Sequence, residues 1–502
     1  MKIAFIFLPP WDPCYPSYAM ALFRASTKNA GHDFVDFDLN VDLYKAVEIP
    51  DQKMWDPQSA SLWDVQWDYI IKKYTKYIDS YIKTILKQKI DLYTISINAY
   101  SKYLAFHLSR TIKKYRPKAC ILVGGPQCFP SYDGLNILHE SSIDAICTGE
   151  GDMVWPQILD HFSKTGQLRM DIPGIAYRMK DNTIKDNGVP ESVKNLDALP
   201  FADYSQIDFN KYGDKYQLGI MTSRGCINTC AFCSERPNFN KYRHRSAENI
   251  FQEISSHLNA FRNNPSFPST NEVTPYFSFN DSLLNGVPDE LEKLCDLIIK
   301  SSHRFLWGGM ALIRKEMTVD LLVKMKKAGC HNLAWGLESG CQEVLDLMCK
   351  KYFNMDLAKK VIKSTHQAGI SQAISLIAGF PGETEEMYKE TMKFVSDHKD
   401  YFAVGVQPMM IAANSFVHRH PEKFGMAQEN DWLKWETIDG TNNYDVRLKR
   451  VEMLKSLLEG NVKTIDKDMK APLNQLSQMR DSLSWRFRMG HRIKKLYNMF
   501  NI

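Results

Sequence analysis

No uninterrupted apolar run in this 502-residue chain reaches the length needed to cross a membrane as a helix. No secretory leader is expected either. Met1 to Leu8 is apolar but short, ends in Pro9-Pro10, and has no small-residue cleavage site, so a cytoplasmic location is the expectation. Charge of one sign is also lacking. Sixty-three Lys and Arg stand against 58 Asp and Glu, a formal net charge of +5, which gives no case for a nucleic-acid partner. There is no sequence repeat and no low-complexity tract. Cysteine is scarce and odd in number, eleven in all. In a cytosolic chain that excludes a disulfide framework and points to metal ligation plus buried free thiols. What remains is a chain with enough apolar residues for large cores and a length that suggests two or three domains.

Residues 1–160 alternate short apolar strands with helices. Strands are expected at Lys2 to Leu8, Val35 to Leu39, Leu92 to Ile97, Cys120 to Val123 and Ala145 to Cys147, with helices over 17–30, 68–88 and up to Tyr115. Gly124-Gly125-Pro126 and Gly149-Glu150-Gly151 stop the last two strands. This pattern predicts an open parallel α/β sheet. Residues 161–214 read as a connector with a hairpin around Asp181-Asn182. Residues 215–425 repeat the alternation, with strands at Leu218 to Thr222, Tyr276 to Phe279, Phe305 to Trp307, Asn332 to Trp335, Ala373 to Ile377 and Val404 to Gln407. Six such units predict a partial parallel (β/α)6 barrel. Residues 426–502 read as a helical, polar C-terminal extension.

The chemistry-bearing segment is Arg224-Gly225-Cys226-Ile227-Asn228-Thr229-Cys230-Ala231-Phe232-Cys233, directly after a strand. Thiolates are the usual ligands of iron–sulfur clusters, and one compact loop can wrap three of them around a cube. Three protein ligands leave one iron open for a substrate. Three unrelated buried cysteines would be a coincidence of spacing. A zinc site would need a second Cys/His pair, and only His244 lies nearby.

The C-x-x-x-C-x-aromatic-C spacing after a barrel's first strand resembles the motif of the radical S-adenosylmethionine (SAM) superfamily. The resemblance implies a 4Fe–4S cluster on Cys226, Cys230 and Cys233, with SAM bound through its amino and carboxylate groups to the open iron. Phe232 matches the position beside the adenine. Gly336-Leu337-Glu338-Ser339-Gly340 follows the fourth strand, where the family places contacts to the methionine or ribose. Gly379-Phe380-Pro381-Gly382-Glu383-Thr384 follows the fifth and is similar to the family's segment near the adenine. Asn280-Asp281 ends the second strand where many members carry Gly-Gly-Glu, so Asp281 stands as the substitute contact to the SAM amino group. All of these fall at carboxyl ends of barrel strands, where such sites gather. Simpler roles exist: Glu338 could cap a helix, Gly379 and Gly382 could serve a tight turn, and Asp281 could lie in a surface turn.

A doubly wound, Rossmann-like sheet ahead of such a barrel resembles the cobalamin-binding domain of cobalamin-dependent radical SAM enzymes. Gly124, Gly125 and Pro126 match one of its glycine turns, and Gly149, Glu150 and Gly151 the other. Such turns let backbone approach a flat cofactor. Ser96, Asn98 and Ala99 would touch the cofactor's tail. The D-x-H-x-x-G motif that supplies a cobalt ligand is absent, which leaves the lower face of cobalt unassigned, and a domain that binds no cobalamin is the simpler alternative. A methylthiotransferase would need a second cluster, and the surroundings of Cys14, Cys120, Cys128 and Cys147 do not match one.

The resemblance implies one-electron reduction by a donor such as a flavodoxin or ferredoxin, reductive cleavage of SAM, hydrogen abstraction from an unactivated carbon, and methyl delivery by cobalamin to that carbon. Rearrangement, cyclisation, epimerisation or dehydrogenation on the same core is the first alternative, and a sensor without turnover the second. The substrate class, from small molecules to lipid- or sugar-linked intermediates, is not legible. One hint lies at the C-terminus. Arg480, Arg486, Arg488, Arg492, Lys494 and Lys495 are offset nearby only by Asp481, and Ile493, Leu496, Tyr497 and Phe500 share a helical face. Ser482 to Arg486 resembles a short tail of some bacterial surface-polysaccharide enzymes. Such an end could touch the inner membrane surface or simply pack on the barrel.

Overall fold

The computed structural model describes residues 1–56, 63, 67–98, 100–129, 134–213, 217–261, 264, 266–267, 274–427 and 431–458. The chain divides into two compact units. The first comprises Met1–Met221, Arg243–Ser278 and His303–Phe305; the second comprises Thr222–Tyr242, Phe279–Ser302 and the chain from Leu306 onward.

The first unit holds a seven-stranded sheet of β1 (Lys2–Phe7), β2 (Asp33–Asp38), β3 (Leu92–Ser96), β4 (Cys120–Gly124), β5 (Ala145–Cys147), β6 (Ile175–Arg178) and β7 (Ile184–Asp186). Their order is β2-β1-β3-β4-β5-β6-β7. The pairs from β2 through β5 are parallel, and those made by β6 and β7 antiparallel. The inner strands β1, β3 and β4 are buried along almost their whole length because both faces are covered. Ala4, Ile6, Tyr93, Ile95, Ile121 and Val123 pack into one core with the helices at Leu39–Ala46, Thr75–Lys87 and Lys102–Tyr115. The alternate residues Ile3, Leu92 and Leu122 pack on the other face with the helix at Trp155–Thr165. Helices on both faces make the sheet doubly wound. β1 is flanked by β2 on one side and β3 on the other, so the order reverses between the carboxyl ends of β1 and β3, where such sheets open a ligand crevice.

Two features depart from the sequence reading. The segment read as a connector contributes β6 and β7, because Ile175 and Ala176 are buried in the two cores of the first sheet. The expected turn is there, with Asn182 at φ 67°. The single helix expected over 68–88 is two, Trp67–Lys73 and Thr75–Lys87. Tyr74 breaks it: its hydroxyl donates to Asp51 and accepts from the Glu48 backbone N–H at 3.0 Å. A tertiary contact overrides local periodicity there.

The second sheet has six strands in the order β15-β14-β13-β12-β11-β8, as the six strand–helix units led one to expect. These are β8 (Gln217–Ile220), β11 (Tyr276–Phe279), β12 (Leu306–Ala311), β13 (Cys330–Glu338), β14 (Ser371–Ala378) and β15 (Ala403–Pro408); the two-residue strands β9 (Ser223–Arg224) and β10 (Arg243–His244) lie outside it. The pairs β12–β13, β13–β14 and β14–β15 are parallel. Of the C-terminal extension, the structure describes a bridge between Met426 and Thr437 and the helix Tyr444–Leu458. The basic segment from Arg480 to Lys495 and the apolar face ending at Phe500 lie outside the described residues, as does Ala99.

Candidate functional site: a three-cysteine loop and a strained strand end

Cys226, Cys230 and Cys233 lie half-buried on the loop that leads from β9 to the short helix Glu235–Phe239. Gly225 opens the loop at φ 79°, and a Cβ there would sit 2.8 Å from the Lys241 carbonyl, so the turn needs glycine. The loop is pinned from outside. The Ala231 N–H donates to the Met348 carbonyl at 3.0 Å, and the Ala231 carbonyl accepts from the Val417 N–H at 3.0 Å. Phe232 packs against a core that includes Ala231, Cys341, Met348, Phe380 and Trp435. Two sulfurs accept backbone amides: Asn228 N–H to Cys226 Sγ and Glu235 N–H to Cys233 Sγ, each at 3.4 Å.

Burial raises all three thiols, Cys233 to about 12. A metal centre bound there would offset that cost. Asn228 Oδ1, buried between the first two cysteines, has no hydrogen-bond partner. Among the described residues no three His, Cys, Asp or Glu side chains converge on a single-ion position. The donor set on this loop is three soft sulfurs with amide donors already in place, which fits an iron–sulfur cluster whose corners take one thiolate each.

Asp281 anchors the approach to this loop. Its Oδ1 accepts the Thr222 N–H at 2.7 Å and the Ser223 N–H at 2.9 Å, and its Oδ2 accepts the Thr222 hydroxyl. At the far end of β13, Glu338 holds φ 74°, a left-handed conformation that costs a non-glycine residue of order 1 kcal/mol or more. The β13–β14 register shifts between Gly336 and Glu338, so a bulge re-aims this side chain. Its Oε1 lies 3.4 Å from Lys350 Nζ, which also donates to the Gly336 carbonyl at 2.7 Å. Burial raises the Glu338 carboxyl, with Lys350 opposing. Ser339 is fully buried; its hydroxyl pairs with Thr391 Oγ1 at 2.9 Å and accepts the Cys341 N–H.

The turn after β14 is clamped by the C-terminal segment. Gly379 holds φ 80°, and a Cβ on it would lie 2.4 Å from Arg447 Cγ. Its N–H donates to Glu383 Oε2 at 2.6 Å and its carbonyl accepts from Asn442 Nδ2 at 3.0 Å. Glu383 is buried and paired with Arg450 at 3.0 Å. Desolvation pushes its carboxyl up to about 7 against the pull of Arg450 and the Gly379 amide. Arg447, stacked 3.7 Å over the Trp435 ring, donates to the Leu433 and Trp435 carbonyls.

In the first unit, Asn98 spans the crevice at the switch in strand order. Its Nδ2 donates to the Pro10 carbonyl at 2.9 Å, joining the segments that follow β3 and β1, and its Oδ1 accepts the Tyr100 N–H. Ser96, at the end of β3, is buried. Gly124 is bare: a Cβ there would meet only Cys147, at 3.7 Å. Gly125 is different, because at φ 105° its Cβ would lie 2.4 Å from the Ile97 carbonyl oxygen. The glycine is demanded by the protein's own backbone. Pro126 starts the short 3-10 turn to Cys128. Gly149 holds φ 72° under Pro190. Glu150 is paired with Arg243 on both oxygens and accepts the Val193 N–H at 3.4 Å. A Cβ on Gly151 would meet Cys147 Sγ at 3.6 Å and nothing closer. Thr148 Oγ1, buried at the end of β5, has no partner, and a buried hydroxyl is rarely left so. The bare Gly124 and that hydroxyl fit a polar cofactor at these strand ends.

Sequence reasoning missed Lys350, Asn442, Arg447 and Arg450. A lysine in the loop between two helices carries no local signal. The Arg447/Arg450 spacing of three puts both on one helix face, which is buried together with Val451 and Leu454.

Residues 220–395 match the model of the radical SAM superfamily. An uncharacterized methyltransferase of Pyrococcus horikoshii is 24% identical over 318 residues, 62% of this chain and 65% of that protein. The anaerobic magnesium-protoporphyrin IX monomethyl ester cyclase of Rubrivivax gelatinosus is 25% identical over 304 residues, 59% of this chain and 52% of that protein. The chain thus spans between half and two thirds of the length of these curated relatives. Among solved structures, the cobalamin-dependent SAM radical enzyme OxsB with aqua-cobalamin bound superposes with a TM-score of 0.69 at 15% identity, over 91% of this chain and 67% of that one. The radical SAM methyltransferase TsrM of Kitasatospora setae, with tryptophan substrate and a SAM analogue bound, gives 0.67 at 12% identity over 99% of both chains. At these identities the likeness is one of fold.

Proposed function

We propose that the chain is a radical SAM enzyme, and specifically a cobalamin-dependent C-methyltransferase, because residues 220–395 match the radical SAM superfamily and the fold is that of the solved structures OxsB and TsrM. The observation that carries this reading is the pairing, in one chain, of a three-cysteine loop with a doubly wound sheet whose strand ends carry glycine turns and an unpartnered buried hydroxyl. Residues 1–160 would be the cobalamin-binding domain, residues 215–425 the radical SAM core, and 426–502 an extension that clamps the core's fifth-strand turn. When bound, the 4Fe–4S cluster and SAM would supply a 5′-deoxyadenosyl radical, and cobalamin a transferable methyl group.

The protein's own part is to hold and to exclude. Cys226, Cys230 and Cys233 would hold the cluster through three thiolates and leave room for SAM. Phe232 offers a half-buried ring beside the cluster loop, and the strained Glu338 a carboxylate at the end of β13. Asp281, fixing Thr222 and Ser223, sets where the loop begins. The partners proposed are a small-molecule or a lipid- or sugar-linked substrate and a one-electron donor such as a flavodoxin or ferredoxin.

Anaerobically reconstituted protein given a reductant, a corrinoid and SAM deuterated at its methyl group should form 5′-deoxyadenosine and pass deuterated methyl to the corrinoid. 5′-Deoxyadenosine without methyl passage would favour the second reading, a non-methylating transformation, to which the similarity to a ring-forming cyclase lends support. Contact with the inner membrane surface is proposed for the basic C-terminus. Full-length protein should co-sediment with anionic liposomes in a salt-sensitive way, and a chain truncated after Ala471 should not; equal binding by both would refute it.

A further inference from the structure

The Lys350–Glu338 pair is a costly polar arrangement in the second unit. Both side chains are buried, 4% and 12% exposed, yet the contact is loose at 3.4 Å, and Glu338 is held in a left-handed backbone conformation. Buried ion pairs are weak stabilisers, often no better than apolar residues of the same volume. Stability alone does not account for this one.

Its position suggests another role. The chain from Met348 to Tyr352 runs along the cysteine loop and is bonded to it twice. Met348 accepts the Ala231 N–H at 3.0 Å, next to Cys230, and the Tyr352 hydroxyl donates to the Ile227 carbonyl at 3.2 Å, next to Cys226. Lys350 lies midway between these two tethers. Glu338 Oε1 stands 3.4 Å from its ammonium group and so shares that neighbourhood.

We propose that Lys350 and Glu338 form an opposed pair of buried charges that sets the reduction potential of the cluster on Cys226, Cys230 and Cys233. The idea rests on the reading of those cysteines as cluster ligands. Adding an electron makes a cluster more negative. A buried ammonium group nearby stabilises the reduced form, a buried carboxylate destabilises it, and neither is screened as it would be in water. Charge and hydrogen bonding around the sulfurs are established levers on cluster potential. Lys350 and Glu338 are positioning residues in this role.

The test is a redox titration of the reconstituted full-length protein without SAM, followed by the paramagnetic signal of the reduced cluster. Lys350→Met should move the midpoint to more negative values, lowering the reduced-to-oxidised ratio at a fixed donor potential about tenfold. Glu338→Gln should move it the other way, and Lys350→Arg should leave it near wild type. Opposite signs are a signature that a merely structural role does not produce. Shifts of the same sign, or none in variants with wild-type iron content, would overturn the proposal. Should Lys350→Met fail to assemble its cluster, the sign of the Glu338→Gln shift decides. A wild-type protein that holds no cluster would overturn the underlying reading instead, and is distinguished by its iron content.

Discussion

The two sheets put their sequence motifs to different uses. In the second unit, some residues that the motif pattern singles out are strained or left poised by the fold, although Gly379 and Ser339 are taken up by its packing. Glu338 is left-handed beside a bulge, the three thiols are half-buried on one loop, and Asn228 keeps an unpartnered oxygen. In the first unit, several motif residues are consumed by the fold itself. Gly125 is required by the Ile97 backbone, Gly149 by Pro190, and Glu150 is spent on Arg243. A glycine turn at a strand end therefore has two possible causes, cofactor approach and internal packing, and only the neighbours of the absent Cβ tell them apart.

That contrast can be broken at chosen points. The largest effect is expected from Cys230→Ala, which should abolish SAM cleavage and strip most iron while leaving the melting of the cofactor-free protein unchanged. Assay of 5′-deoxyadenosine and bound iron checks it, and wild-type cleavage by the variant would remove the cysteine loop from the account. Arg450→Met comes next. It leaves Glu383 buried without its cation, which should cost about 3–5 kcal/mol in denaturant unfolding and loosen the Gly379 turn.

Gly125→Val should destabilise the cofactor-free protein by about 3 kcal/mol, because the new side chain meets the Ile97 carbonyl at an unfavourable φ. Corrinoid binding would fall as a consequence of that loss. Normal melting with lost corrinoid binding would instead return Gly125 to the crevice and erase the difference between the two units.

The smallest effect concerns Asp38, which caps the helix Leu39–Ala46 through the Val41 N–H and accepts the Tyr212 hydroxyl at 2.7 Å. Burial raises its carboxyl to about 6. Between the ordinary carboxylate range and about pH 6, the folded chain keeps a proton that the unfolded chain has released. Stability from this group therefore falls as pH rises through that window, by at most about 1.4 kcal/mol per pH unit. Asp38→Asn should flatten that slope in unfolding curves taken from pH 4 to 7; an unchanged slope would contradict it.

Strand positions were legible where a short apolar run is bounded by glycine, proline or polar residues. Tyr276–Phe279 and Ala145–Cys147 fell where expected to the residue. The cysteine loop was legible because its spacing is rare. What could not be read were groups defined only by tertiary partners. Lys350 is one of two adjacent lysines, and nothing in its neighbourhood in sequence sets it apart from Lys351; burial against Gly336 and Glu338 does. Ser339 and Glu338 are sequence neighbours in the same motif, yet one is sealed against Thr391 while the other is strained at the strand end. The hairpin of β6 and β7 was seen, but not its place at the antiparallel edge of the first sheet, which depends on where Ile175 and Ala176 find their cores.

The central claim is that one chain holds two cofactors, a cluster on the second unit and a corrinoid on the first. Anaerobic purification from cells supplied with iron and cobalamin, followed by iron analysis, a visible spectrum and corrinoid extraction, tests it most directly. The account predicts about four irons and about one corrinoid per chain, with the iron lost and the corrinoid kept when Cys226, Cys230 and Cys233 are all replaced by alanine. An intact cluster with no corrinoid, even after incubation with cobalamin and SAM, would contradict it.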